Sequence, residues 1–180
     1  NFIMENLNGE LYCLSGFSMG GTMAVEIVGR GNVRISKVLL DAAFLTKMGV
    51  LTKLYENIFC KAISRLQRGK KIPKPLMDRI MGKDNNSVVE MLYTRVTQKT
   101  ITNVCEYVYR YDIPEGIRRY TGQTVFWYGS NEPYPRKSAG LLKQYLPQME
   151  VVEFENMGHG QYLHEHSAEY AAKIIEYLDT

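Results

Sequence analysis

The sequence predicts an α/β fold, a mostly parallel sheet flanked by helices. Three observations carry that reading. Short apolar runs near 11–15, 35–40, 123–128 and 149–154 have the length of buried strands. Segments near 19–29, 136–146 and 161–178 carry apolar residues at helical spacing and alternate with those runs. Small, turn-forming residues follow the first and third runs, at Gly16 to Gly21 and at Gly129 to Pro133. Strand alternating with helix builds a parallel sheet, because each crossover returns the chain to the same end of the sheet.

In chain order, Phe2 to Asn6 read as the tail of a helix. Leu11 to Leu14 form the first strand and Lys37 to Leu40 lie in the second. Between Phe44 and Gly122 the pattern is helical, with segments near 50–66, 73–82, 86–94 and 97–111 and no convincing central strand. Thr124 to Tyr128 and Glu150 to Phe154 supply two more strands. The last helix repeats Tyr162, Leu163, Tyr170, Ala171, Ile174, Ile175 and Leu178, a stripe suited to facing the sheet.

Composition narrows the function classes. A chain of 180 residues, 45% hydrophobic and 23% charged, can bury one full core. No apolar run is long enough to span a bilayer, and no secretory signal is recognised. A net charge of +3 is too small for an electrostatic nucleic-acid footprint. Cys13, Cys60 and Cys105 are odd in number and lack metal spacing, which points to reduced thiols and a cytoplasmic setting. The basic run Arg65, Arg68, Lys70, Lys71 and Lys74 beside two prolines reads as a solvated loop. His159, His164 and His166 with Glu165 fit no zinc spacing, so neither metal nor cofactor is expected.

Chemistry concentrates in Gly16-Phe17-Ser18-Met19-Gly20. A strand that turns into a helix through small residues sets the serine on a strained apex, its hydroxyl clear of the sheet. The helix end behind it favours negative charge, and the Met19 N–H is placed to donate to an oxyanion. A serine hydroxyl needs a base, and His159, between Gly158 and Gly160 just after a strand, is free to reach a site. A carboxylate would orient the imidazole. Glu132, in the turn after the third strand, is the better candidate. Asp41, at the end of the second, is the rival.

These motifs resemble those of the α/β-hydrolase family. Leu14 to Gly21 resembles its nucleophile elbow, with Phe17 where a histidine is common. Gly129-Ser130-Asn131-Glu132 resembles its Gly-x-x-Asp acid turn, with Glu for Asp. Asn156-Met157-Gly158-His159 resembles its terminal Gly-His turn. All three occur in the family's order of serine, acid, histidine. The resemblance covers the C-terminal two-thirds of such a fold. It implies a core at 1–43 and 122–180 and a helical cap at 44–121, with Phe17, Met48, Tyr107 and Tyr111 lining a pocket for a small acyl substrate. It further implies a serine hydrolase acting on a carboxylic ester or related acyl compound through an acyl-enzyme. The strands that precede the elbow in the family, with the second oxyanion donor, are not found in this sequence. Two expectations follow: a homo-oligomer that covers the bare edge of the elbow strand, and, as the alternative function, a non-catalytic remnant serving as a binding module.

Overall fold

A computed structural model describes residues 2–70, 73 and 96–180. Helix α1 (Phe2–Asn6) leads into β1 (Glu10–Phe17), α2 (Met19–Arg30) and β2 (Arg34–Asp41). Helices α3 (Thr52–Gln67) and α4 (Gln98–Tyr109) follow. Strand β3 (Gln123–Gly129), α5 (Pro133–Lys143) and β4 (Glu150–Phe154) return to the sheet. Two helices, α6 (Gln161–Glu165) and α7 (Ser167–Asp179), close the chain.

The four strands pair in the order β1-β2-β3-β4, each parallel to its neighbour. Alternation along β2 and β3 divides the core. Val38, Leu40 and Phe126 face α2 and α5 with Val25, Val28 and Leu142. Leu39, Val125 and Trp127 face the other way and pack with Tyr170 of α7. Both faces of the two central strands are thus buried, which is why they read as unbroken apolar runs. Strand β1 lies at the edge of the described sheet, and Tyr12 and Phe17 on it are exposed.

A third cluster, Ile63, Ile101 and Cys105, joins α3 to α4. An aromatic group ties this helical pair to the loops above the sheet. Phe44, three residues past β2, lies 5.3 Å from Tyr109 and 5.5 Å from Tyr134, ring centre to ring centre. The hydroxyls of Tyr55 and Tyr134 are 2.8 Å apart. The helices expected near 73–82 and 86–94 lie outside the described residues, Pro73 excepted.

Two boundaries differ from the sequence reading. Helix α5 starts at Pro133 rather than near 136, because proline suits the first helical position, where its missing N–H loses nothing. It stops at Lys143 rather than 146, since Gln144 and Tyr145 close tighter turns onto Leu141 and Leu142 ahead of Pro147. The single helix expected over 161–178 bends at His166, whose φ of −125° and ψ of 42° leave helical geometry. The bend lets Tyr162 stack on Phe154 at 4.0 Å while Tyr170 meets Trp127 edge-on at 5.4 Å.

Candidate active site

Ser18 sits between β1 and α2 with φ 53° and ψ −119°, a conformation disfavoured for a side chain-bearing residue. Close packing enforces it. A Cβ on Gly16 would stand 2.4 Å from the Gly20 carbonyl oxygen, and one on Gly21 would stand 2.4 Å from the Ala43 Cβ. The Ser18 N–H donates to the Asp41 carbonyl at 2.7 Å, and the Ser18 carbonyl accepts from Gly21 N–H at 3.0 Å. Thr22, fully buried one turn into α2, donates its hydroxyl to the Phe44 carbonyl at 2.8 Å. Strand β1, helix α2 and the loop after β2 are thereby fixed around one serine.

His159 follows β4 on a loop stapled to the turn after β3. Asn131 N–H donates to Met157 carbonyl at 3.0 Å, Asn156 N–H to Ser130 Oγ at 2.8 Å, and Ser130 N–H to Phe154 carbonyl at 2.9 Å. Gly129 permits this closeness, since a Cβ there would meet the Met157 oxygen at 2.2 Å. Left-handed backbone at Asn156 (φ 59°) and Gly160 (φ 67°) turns the loop back toward the elbow.

The three residues singled out as nucleophile, base and acid come together. His159 Nε2 is 3.0 Å from Ser18 Oγ, and His159 Nδ1 is 2.6 Å from Glu132 Oε1. The other Glu132 oxygen accepts the Gly129 N–H at 2.8 Å. A carboxylate only accepts, so Nδ1 carries the proton in this arrangement, and Nε2 is left to accept from the Ser18 hydroxyl. Glu132 is 6% exposed, so its bond to the imidazole is shielded from water.

Asp41 is not in that chain. Its buried carboxylate accepts from the Tyr170 hydroxyl at 2.8 Å. Burial, foremost, pushes its pKa up to about 6, and the nearby Glu132 charge adds to this, while the Tyr170 bond and His159 oppose it. Met19 is the first residue of α2, so its N–H has no intrahelical acceptor.

The residues expected to line a pocket scatter. Phe17 lies beside the site, its ring 4.9 Å from that of His159. Met48 is buried beneath α4, its N–H donating to the Tyr109 carbonyl at 2.9 Å. Tyr111 instead packs in the core against α2, its hydroxyl 3.3 Å from Glu26, and Tyr107 lies against it at 5.8 Å. Glu26 is eight residues beyond Ser18, about 12 Å along the helix, so this pair stands away from the serine. Helical periodicity could not show which side of α2 the α4 face would meet. Sequence reading missed Ser130 and Gln161, which accept loop N–H groups of Asn156 and Gly158 and so hold His159 in place. A hydroxyl in the acid turn and an amide just past the Gly-His pair were the available signals.

Among the described residues no group of three or more His, Cys, Asp or Glu is arranged to hold a metal ion, and no helix is long and apolar enough to cross a membrane. No family model and no curated protein matches the sequence. Solved structures do. An α/β-hydrolase family protein from Desulfitobacterium hafniense is 27% identical with a TM-score of 0.79, over 97% of this chain and 72% of that one. A bromoperoxidase from Bacillus anthracis is 16% identical with a TM-score of 0.75, over 99% and 71%. An esterase from Exiguobacterium antarcticum is 19% identical with a TM-score of 0.68, over 99% and 70%. With its parallel sheet, its elbow and these structural relatives, the chain has the α/β-hydrolase fold.

Proposed function

We propose that this chain is a serine hydrolase that cleaves a carboxylic ester or a related acyl compound. The carrying observation is the unbroken hydrogen-bonded run Ser18–His159–Glu132, at 3.0 and 2.6 Å. In this reading Ser18 Oγ attacks the substrate carbonyl carbon while its proton passes to His159 Nε2. Glu132 holds the Nδ1–H tautomer and stabilises the imidazolium that forms. The Met19 N–H donates to the developing oxyanion, assisted by the N-terminus of α2. The imidazolium gives its proton to the departing alcohol, leaving Ser18 acylated. Water, deprotonated by His159, then releases the acid and restores the serine.

The fold alone does not choose the chemistry. Esterases and carboxylesterases share it with a bromoperoxidase and a meta-cleavage product hydrolase. The reading of an ester substrate is supported by the esterases among the neighbours and by the Ser18–His159–Glu132 hydrogen bonds, which suit acyl transfer. Helices α3 and α4 act in this proposal as the cap over the acyl site, joined to it through Phe44 and Tyr134. A self-associated state that covers β1, the edge strand of the described sheet, belongs to the proposal, and a strict monomer in light scattering at micromolar protein counts against that part.

A fluorophosphonate probe and a chain-length panel of p-nitrophenyl esters test the hydrolase reading. Wild type labels at Ser18 and turns over one chain-length class. Ser18→Ala does neither. Equal labelling of both proteins, or none of wild type, overturns it and leaves the binding-module reading in its place.

A further inference from the structure

The hydrogen bonds to His159 place its ring but leave its roll open. Glu132 Oε1 lies 2.6 Å from Nδ1, and Ser18 Oγ lies 3.0 Å from Nε2. Bonds at the two ring nitrogens fix the imidazole along the line that joins them. They constrain rotation about that line only weakly, and packing on the ring faces has to set it. The roll matters because Nε2 serves two oxygens in turn. It takes the proton from Ser18 and then gives it to the departing oxygen of the substrate.

Phe17 meets that ring directly. The ring centres are 4.9 Å apart and the planes are tilted by 35°. Both sides of the contact are built to hold it. Phe17 ends β1 in register with Asp41, and the next amide, that of Ser18, is tied to the Asp41 carbonyl at 2.7 Å. Gly160, next to His159, leaves room for the phenyl tip: a Cβ there would stand 3.0 Å from Phe17 Cζ. The core does not call for this side chain. It is 40% exposed and belongs to neither of the clusters on the two faces of the sheet. We propose that Phe17 is a positioning residue for His159, its ring bracing one face of the imidazole and setting the roll that aims Nε2 from Ser18 Oγ to the departing oxygen. The contact also lies inside the roughly 6 Å at which a phenyl ring attracts a cation, which favours retention of the imidazolium between the two transfers. No bond is made or broken at Phe17. The inference rests on the hydrolase reading above.

The test compares wild type with Phe17→Ala and Phe17→Leu. It reads fluorophosphonate labelling at Ser18, and kcat/KM for the ethyl and the p-nitrophenyl ester of the acid that wild type releases fastest. Nitrophenolate leaves without a proton, whereas the ethyl alcohol needs one from His159. Misplacing a catalytic group by about 1 Å costs on the order of 100-fold, so Phe17→Ala is expected to lose about that much on the ethyl ester. It should lose only about 10-fold on the p-nitrophenyl ester and in labelling, which need the first transfer alone. Phe17→Leu, which keeps apolar contact without a flat face, falls between. A ring that only supports the fold or binds the acyl group lowers both esters equally, and equal losses overturn the proposal. A greater loss on the p-nitrophenyl ester marks a surface for the leaving group and overturns it too, as does unchanged labelling of Phe17→Ala. In each of those cases the hydrolase stands. If wild type does not label at Ser18, both readings fall. Should Phe17→Ala fail to fold by circular dichroism, Phe17→Leu decides: a greater loss on the ethyl ester supports the bracing role, and equal or no loss overturns it.

Discussion

The Ser18 amide donates to the Asp41 carbonyl at 2.7 Å while Ser18 itself holds φ 53°. The bond crosses from the end of β1 to the end of β2 and keeps the serine where a helix cannot yet begin. Backbone held this way stores roughly 1–3 kcal/mol when the residue carries a Cβ. Glycine relieves that strain but gives back part of the gain through unfolded-state entropy. Ser18→Gly is therefore expected to be about 1–2 kcal/mol more stable than Ser18→Ala, although both lack the nucleophile. Urea unfolding of the two variants decides it, and equal midpoints would mean that the elbow carries no strain.

The glycines around the serine are not equivalent. Added Cβ atoms at Gly16 and Gly21 would collide with the Gly20 carbonyl and with Ala43, whereas a Cβ on Gly20 meets nothing within 4 Å. Gly16→Ala and Gly21→Ala should each destabilise by about 1–3 kcal/mol or more, since backbone must shift to admit the methyl. Gly20→Ala should be neutral or gain up to about 1 kcal/mol, because alanine suits the first turn of α2 better than glycine. A chemical denaturation series on the three variants tests the ranking. A Gly20→Ala loss as large as that of Gly16→Ala would contradict it.

Much of this site was legible in the sequence because its parts are local. The elbow announces itself by small residues between an apolar run and a helical one, and Gly158-His159-Gly160 announces a mobile-backbone turn after a strand. What could not be read were the partners chosen across the fold. Asp41 and Glu132 look alike as carboxylates at strand ends. They differ only because Tyr170, 129 residues away in sequence, claims one of them and His159 the other. Tyr107 and Tyr111 carried the right periodicity for a cap helix, but periodicity gives a face and not its neighbour, and that neighbour is α2. The bend at His166 has the same origin. Stacking of Tyr162 on Phe154 and contact of Tyr170 with Trp127 are tertiary, and they override an uninterrupted helical pattern.

Burial of Asp41 also makes a statement about pH. Its folded-state pKa, about 6, lies above the ordinary 3.8, so the folded protein binds this proton more tightly than the unfolded chain. The associated stability is fully present below pH 3.8 and is lost as pH rises through about 6. At 1.36 kcal/mol per unit the loss amounts to as much as about 3 kcal/mol. Asp41→Asn removes the titration and keeps an acceptor for Tyr170. Its stability relative to wild type should therefore rise between pH 4 and pH 6.5 and stay level above that. Urea midpoints of both proteins across that range measure the difference, and a constant offset would show that the carboxyl does not titrate there.

Lys37 offers the opposite case, a buried charge whose work is purely structural. It projects from β2 toward the end of α7, is 5% exposed, and donates to the carbonyls of Tyr177 at 2.7 Å and Leu178 at 3.1 Å. Those carbonyls belong to the last turn of the helix, which lacks intrahelical donors and carries the negative end of its dipole. The rings of Tyr12 and Tyr177 lie 5.6 and 5.3 Å from the ammonium and shield it further. Lys37→Met keeps the aliphatic stem but strands the carbonyls. It should lower stability by about 1–3 kcal/mol, the range for leaving such groups unmet or losing a charged donor. Because the loss falls at the far end of α7 from Tyr170, amide exchange should accelerate at Tyr177 to Thr180 before it does near Tyr170. Labelling of Ser18 should stay within about twofold at temperatures where the variant remains folded, as expected for a group that contacts the end of α7 and not the reacting atoms. A large drop in labelling without a drop in stability would instead place Lys37 in communication with the site.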